Sequence, residues 1–222
     1  YVTGFAALFL LWSVAALVVG NTVFLPSPLQ VFRTLYKMLL SGELGRDVAV
    51  SVARVLLGFA TGACIGVMLG IATGLNRTLF QAAEPLIELF RSIPPYAMIP
   101  FALLAWGVGD SGKVFILAYA TFFPVILNTV AAVRNVPARL IEAGQTLGAG
   151  RSFLIRHVII PAVIPQVLVG LRLGFGAAWI ALIAAEMIGS SRGLGFVIAD
   201  AREILDSATV IGGMLVIGLI GY

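Results

Sequence analysis

Ionisable side chains set inside apolar stretches are the first candidates for chemistry in this chain. Arg172 stands between two uncharged stretches, and Glu186 follows fourteen residues later. Along a helix that separation is about 21 Å, so the two share a face only roughly and cannot pair with each other. A further set, Glu84, Glu88 and Arg91, has spacing that lets Glu88 and Arg91 pair locally. A charge held in hydrocarbon costs at least roughly 2.5–3.5 kcal/mol, so each such group needs a bundle interior, a partner or water. A guanidinium grips a sulfonate, nitrate or carboxylate through two parallel hydrogen bonds. Arg172 and Arg91 are therefore the candidate anion-binding cations, against the competing role of fixing helix ends or carbonyls. Glu186 is the candidate carboxylate, either along a substrate path or as the titrating group of an ion-coupled carrier.

A second kind of site is the polar island Glu142-Ala143-Gly144-Gln145-Thr146-Leu147-Gly148, followed after nine residues by Val158-Ile159-Ile160-Pro161. Pro137 suits the first turn of a helix and Gly148 the position just past its end, which predicts a helix over about 137–147. Leu140, Ile141, Gly144 and Leu147 share one face, as a short helix needs to lie in a groove on a partner, with Arg139 and Glu142 beside it for polar contacts. So short a helix is marginal alone and is expected to pack on the following segment, with Arg151, Arg156 and His157 on the same surface. The run Gly107–Lys113 has the glycine and lysine spacing of a phosphate-binding loop, but Val114 stands where a Mg²⁺-holding hydroxyl is needed and the segment joins two apolar spans. It is set aside, so any ATP hydrolysis has to come from a partner. A single histidine and a single cysteine, Cys64, exclude a multi-histidine metal site and an internal disulfide.

The elements that must position these residues are membrane helices. Hydrophobic residues make up 60% of the 222 and charged residues 11%, against roughly a quarter charged in soluble domains. Charge-free gaps of 22 residues between Arg54 and Arg77 and 20 between Lys113 and Arg134 match the roughly 20 that cross hydrocarbon. The expectation is an all-α membrane protein of one domain, 1–222, with six transmembrane helices near 3–20, 49–75, 83–107, 113–133, 158–189 and from 206 past 222. Residues 28–41 set Leu29, Phe32, Leu35, Tyr36, Leu39 and Leu40 apart from Arg33 and Lys37, the pattern of a helix on the membrane surface. Gly58, Gly62, Gly66, Gly70 and Gly74 recur every fourth residue and predict a close helix–helix contact, an idea repeated by Gly170, Gly174 and Ala178. Pro94-Pro95, with Pro100, breaks the third span early and frees carbonyls that must be satisfied inside the bundle. The segment Gly189–Gly195 ends the fifth span with a flexible turn. Tyr96, Trp106, Tyr119 and Trp179 read as interfacial anchors. The chain starts without Met inside one apolar run and stops inside another, so both ends are expected to be trimmed and the first helix uncleaved.

The island and its downstream proline, E-A-G, three residues, G, nine residues, V-x-I-P, resemble the EAA loop of the membrane subunits of bacterial ATP-binding-cassette importers, with Gly144 in place of the usual second alanine. Leu25-Pro26-Ser27-Pro28, Phe90-Arg91-Ser92-Ile93-Pro94-Pro95, Gly170-Leu171-Arg172 and Ala185-Glu186-Met187-Ile188 with Gly193-Leu194-Gly195 extend the resemblance over about 23–215, to the branch serving nitrate, bicarbonate, taurine and alkanesulfonates. The resemblance implies a type I importer permease fold whose 137–147 segment is a cytoplasmic coupling helix, with Arg139, Leu140, Glu142, Ala143, Gly144, Leu147, Gly148 and Pro161 docking the ATPase. It implies a multi-pass subunit of the bacterial inner membrane, with no catalytic residues and no cofactor of its own. ATP and Mg²⁺ belong to two ATP-binding subunits; a second permease copy, as a homodimer, and an extracytoplasmic binding protein complete the assembly, with the bilayer around it and no nucleic acid. The substrate implied is a small anion or zwitterion, taurine or alkanesulfonate ahead of nitrate or bicarbonate. Both chain ends would then be cytoplasmic, which the loop charges do not decide: six basic residues fall on the inner side and seven on the outer. The alternatives are the ion-coupled carrier, using Glu186 or Glu84, and a membrane anchor for another protein.

Overall fold

The structure, a computed structural model, describes residues 2–221; Tyr1 and Tyr222, at the ends of the terminal apolar runs, lie outside the described residues. These are 85% helical and contain no strand. In chain order the elements are α1 (Val2–Val19), α2 (Pro28–Leu40), α3 (Glu43–Leu75), α4 (Arg77–Arg91), a 3₁₀ turn (Pro95–Met98), α5 (Ile99–Trp106), α6 (Asp110–Arg134), α7 (Ala138–Thr146), α8 (Arg151–Leu154), a π-helical turn (Ile155–Ile159), α9 (Ile160–Met187), α10 (Leu194–Glu203) and α11 (Ser207–Gly221). Among the described residues three helical runs are long and apolar enough to cross a membrane: Glu43–Leu75, Asp110–Arg134 and the continuous stretch Arg151–Met187. Shorter apolar helices occupy Ala6–Val19, Pro95–Trp106 and Ser207–Gly221.

The third expected span, 83–107, is not one helix. Its first part belongs to α4, which begins earlier, at Arg77, because the Asn76 side chain accepts from the Thr78 and Leu79 amides at 3.0 and 3.2 Å and caps it there. The chain then breaks completely at Pro94-Pro95 and resumes as the eight-residue α5. Two consecutive prolines remove two amide donors and hold the residue before them out of the helical region, so the break that proline chemistry predicts is a full stop.

The chain divides into two compact units. In the unit Arg54–Leu182, α6 receives α3 along its whole length. A methyl added at Gly66 would come within 3.0 Å of Val125 Cγ1, at Gly70 within 2.6 Å of Thr129 Cβ, and at Gly74 within 2.6 Å of Val133 Cβ. The four-residue glycine period thus lays one backbone against another. α9 approaches α6 in the same way, where a methyl on Gly170 would meet Asn128 Cβ at 2.7 Å and one on Gly174 would meet Val125 Cγ2 at 2.9 Å. Thr121 and Thr129, both fully buried, donate back to the Leu117 and Val125 carbonyls, so their hydroxyls are satisfied in a dry contact. Near one end of these helices Ala132, Val133, Ile159 and Val163 form a compact apolar cluster.

The unit Tyr1–Ala53 with Ile183–Tyr222 is organised around α2. Ser27 and Gln30 form a capping box at its start, Ser27 N–H donating to Gln30 Oε1 at 2.9 Å and Gln30 N–H to Ser27 Oγ at 3.4 Å, with Pro28 in the first turn. Of the expected surface helix, Val31 is fully buried while Leu29, Phe32, Tyr36, Leu39 and Leu40 remain exposed within the chain, as a face turned to lipid would be. Leu35 packs on Gly212 of α11, Gly213 lies against Ile198 of α10, and Trp12 of α1 donates to the Pro26 carbonyl at 3.0 Å.

Candidate functional site

The polar island folds as α7, with boundaries inside the predicted 137–147. Pro137 takes the N-cap instead of the first turn, and its carbonyl accepts from Leu140 N–H at 2.9 Å. At the other end Gly148 N–H donates to the Gln145 carbonyl at 2.9 Å and Ala149 N–H to the Gly144 carbonyl at 3.0 Å. This pair of bonds is a Schellman ending, and it requires the residue after the cap to be left-handed. Gly148 has φ +81°, which any side chain would strain.

The apolar face predicted for α7 is divided between two directions. A methyl on Gly144 would stand 2.5 Å from Leu154 Cδ2, so Gly144 turns inward onto α8, and Ile141 is half-buried on the same side. Leu140 and Leu147 point outward, 44% and 87% exposed. Glycine in place of the usual alanine is therefore a packing requirement set by Leu154. Arg139, Glu142 and Ala143 are exposed, and neither Arg139 nor Glu142 has an ion pair among the described residues. Pro161 is exposed in the first turn of α9, just after the π-helical turn, where Ile160 N–H reaches five residues back to the Ile155 carbonyl. Arg151 lines a cavity behind α7. Arg156 and His157 are exposed, with the imidazole stacked on Phe153 at 4.2 Å.

The three path candidates fall in three different environments. Arg91, at the end of α4, is half-exposed and paired with Glu88, its Nη2 2.6 Å from Oε2. It borders a cavity of about 470 Å³ that Tyr119 and Pro124 also line. Arg172 is exposed on α9 and has no ion-pair or hydrogen-bond partner among the described residues. Glu186 is fully buried. Its two carboxylate oxygens accept from the Ser51 hydroxyl at 2.9 and 2.8 Å, and Oε2 accepts from Gly195 N–H at 2.9 Å. Ser51 Oγ in turn accepts from Leu194 N–H at 2.9 Å, and Asp47 Oδ1 from Gly193 N–H at 2.9 Å. The carboxylate thus ties the Gly193–Gly195 turn to the first turns of α3. A methyl on Gly193, whose φ is +116°, would run into it.

Other polar groups were harder to foresee. Tyr119 donates to the Phe90 and Ile93 carbonyls, which supplies the satisfaction that the Pro94-Pro95 break demands; its spacing from those prolines carries no sequence signal. Arg54 pairs with Asp110, Nη2 to Oδ1 at 2.7 Å. Lys113, in the run that mimics a phosphate loop, donates instead to the Gly109 carbonyl at 3.0 Å.

The chain resembles known proteins in sequence and in fold. Residues 62–222 match the family described as the inner membrane component of binding-protein-dependent transport systems. The chain is 36% identical, over 95% of its length and 78% of the relative's, to the taurine transport system permease protein TauC of Escherichia coli. It is 35% identical to a putative aliphatic sulfonates transport permease protein, SsuC, of Bacillus subtilis, over 97% of this chain and 79% of the relative. It is 30% identical to the nitrate import permease protein NrtB of Synechocystis, over 97% of this chain and 81% of the relative. The fold is that of a type I importer permease, matching inward-facing structures of the MetNI methionine ABC transporter at a TM-score of 0.66, with 21% identity over 83% of this chain and 94% of the matched one. The chain belongs to the inner-membrane components of binding-protein-dependent transport systems: it is a membrane permease subunit of an ATP-binding-cassette importer, whose ATP hydrolysis resides in separate subunits.

Proposed function

We propose that this permease forms the translocation path for a small anion or zwitterion, taurine or an alkanesulfonate first and nitrate or bicarbonate next, delivered by a soluble binding protein on the outer side of a bacterial cytoplasmic membrane. Two ATP-binding subunits, carrying ATP and Mg²⁺, dock on α7 of this chain and of a second copy. The observation that carries the reading is the construction of α7. It ends in a glycine-dependent Schellman turn, seats Gly144 on Leu154, and turns Arg139, Leu140, Glu142 and Leu147 outward. A push on the outer face is passed through the Gly144–Leu154 contact into the helical run Arg151–Met187, because close-packed side chains transmit displacement instead of absorbing it. Nucleotide state and helix arrangement are coupled in that way. Supporting an anionic or zwitterionic substrate are the relatives' substrates and Arg172, whose guanidinium is exposed within the chain and unpaired among the described residues.

The ion-coupled carrier titrating Glu186 is the weaker reading. Its carboxylate is fully buried and already taken up by the Ser51 hydroxyl and the Gly195 amide, contacts that fasten the Gly193–Gly195 turn to α3.

The test is purification of the full-length protein from its own membranes in gentle detergent, with identification of co-purifying subunits and assay of ATP hydrolysis, alongside Gly148→Asp and Glu142→Lys. The expected result is a stoichiometric ATPase with wild type and its loss with both variants, while membrane insertion is unchanged. Variants that insert normally and keep ATP-driven uptake at the wild-type rate would refute the docking role. Competition of uptake by taurine, methanesulfonate and nitrate orders the substrates.

A further inference from the structure

We propose that the cavity behind α7 binds the phosphate of an anionic phospholipid headgroup. Arg77, Arg134 and Arg151 line this cavity of about 640 Å³, and among the described residues no carboxylate does. None of the three has an ion pair among the described residues. Arg134 sits with its guanidinium carbon 3.9 Å from the Phe80 ring centre and also borders an adjoining cavity with Glu84 and Glu88, yet pairs with neither. Three like charges around one hollow repel one another, and an anion between them removes that cost.

Position selects the source of the anion. Arg77 stands two residues past the end of α3, Arg134 is the last residue of α6, and Arg151 opens the run that continues to Met187. These are the three helical runs that, among the described residues, are able to cross hydrocarbon, so the cavity lies where the hydrocarbon ends and lipid phosphates begin. Beneath the arginines its wall is apolar, with Leu75, Val133, Ile155 and Ile159. A charged rim over an apolar floor fits an amphiphile; a free inorganic anion would use the rim alone. Ile141 and Gln145 of α7 also line it, so an occupied cavity bears directly on the seat of that helix.

The experiment titrates the full-length protein, purified in neutral detergent, with short-chain phosphatidylglycerol, the matching phosphatidylcholine and inorganic phosphate, read by native mass spectrometry and a binding isotherm. The variants are Arg77→Gln/Arg134→Gln/Arg151→Gln and, as a control of equal charge change, Arg33→Gln/Lys37→Gln/Arg202→Gln. Phosphatidylglycerol is expected to bind wild type and control alike and the first triple variant roughly a hundredfold more weakly, with phosphatidylcholine and phosphate weak throughout. Unchanged affinity in the first triple variant, an equal loss in the control, or no preference over phosphatidylcholine overturns the proposal. Phosphate binding as tightly as the lipid overturns the lipid source and leaves a free-anion site. Should the triple variant fail to insert, Arg151→Gln alone is read; it is expected to weaken phosphatidylglycerol about fivefold, and no change overturns the site.

Discussion

Replacing Glu186 by leucine removes the buried carboxylate that joins Ser51 to the Gly193–Gly195 turn. Gly195 N–H, buried and 2.9 Å from Oε2, loses its acceptor, and an orphaned buried donor costs about 1–3 kcal/mol. The Ser51 hydroxyl loses a charged acceptor as well, a bond worth about 1.5–3 kcal/mol, though it can turn toward a carbonyl of its own helix one turn back. The sum is about 3 kcal/mol. Glutamine is different, because its carbonyl can accept from both the Gly195 amide and the Ser51 hydroxyl, so only charge assistance is lost, about 1 kcal/mol. Thermal unfolding of the detergent-purified protein followed by tryptophan fluorescence reads both, at roughly 2–4 °C per kcal/mol for a chain of this size. Glu186→Leu is expected to lower Tm by about 6–12 °C and Glu186→Gln by about 2–4 °C. A leucine variant within a degree of wild type, or a glutamine variant as damaged as leucine, would refute the structural role and return Glu186 to the substrate path.

Three further outcomes follow from the geometry. Gly70→Leu places Cβ 2.6 Å from Thr129 Cβ, so α3 and α6 must separate; a loss of about 1–3 kcal/mol, read as a lower Tm, is expected, whereas Gly4→Ala, with nothing within 4 Å, should leave Tm unchanged. Tyr119→Phe withdraws the donor to the Phe90 and Ile93 carbonyls and should cost about 1 kcal/mol, with backbone amide exchange accelerating in α4 and the Pro94-Pro95 turn before anywhere else. Arg172→Ala should reduce substrate uptake at unchanged insertion and Tm, since the side chain makes no ion pair or hydrogen bond among the described residues; unchanged uptake kinetics would remove it from the path.

The amino-acid sequence alone determined the features that rest on short-range chemistry. The limits of α7 follow from Pro137 and Gly148, because a fixed φ and a left-handed φ act on their own backbone whatever surrounds them. The α3–α6 contact was legible because five glycines at a four-residue period can face only one neighbour line on a helix. The break after α4 was legible from Pro94-Pro95, but not the start of α4 at Arg77, which the Asn76 cap sets, nor the freed carbonyls' donor, Tyr119 arriving from α6.

Tertiary structure decided what covers each face. Helical periodicity grouped Gly144 with Leu140 and Leu147, but Leu154 turned Gly144 inward and left the two leucines outside. Arg91 and Arg172 were both candidate cations in the sequence; local spacing already offered Glu88 to Arg91, and only the folded chain shows Arg172 without an ion pair among the described residues. Glu186 read as a group in need of a partner, and its partner Ser51 lies 135 residues away in the chain. A sequence states which groups need satisfying, because desolvation is a property of the group itself. Which group satisfies it is a matter of distance in space, and only the folded chain sets those distances.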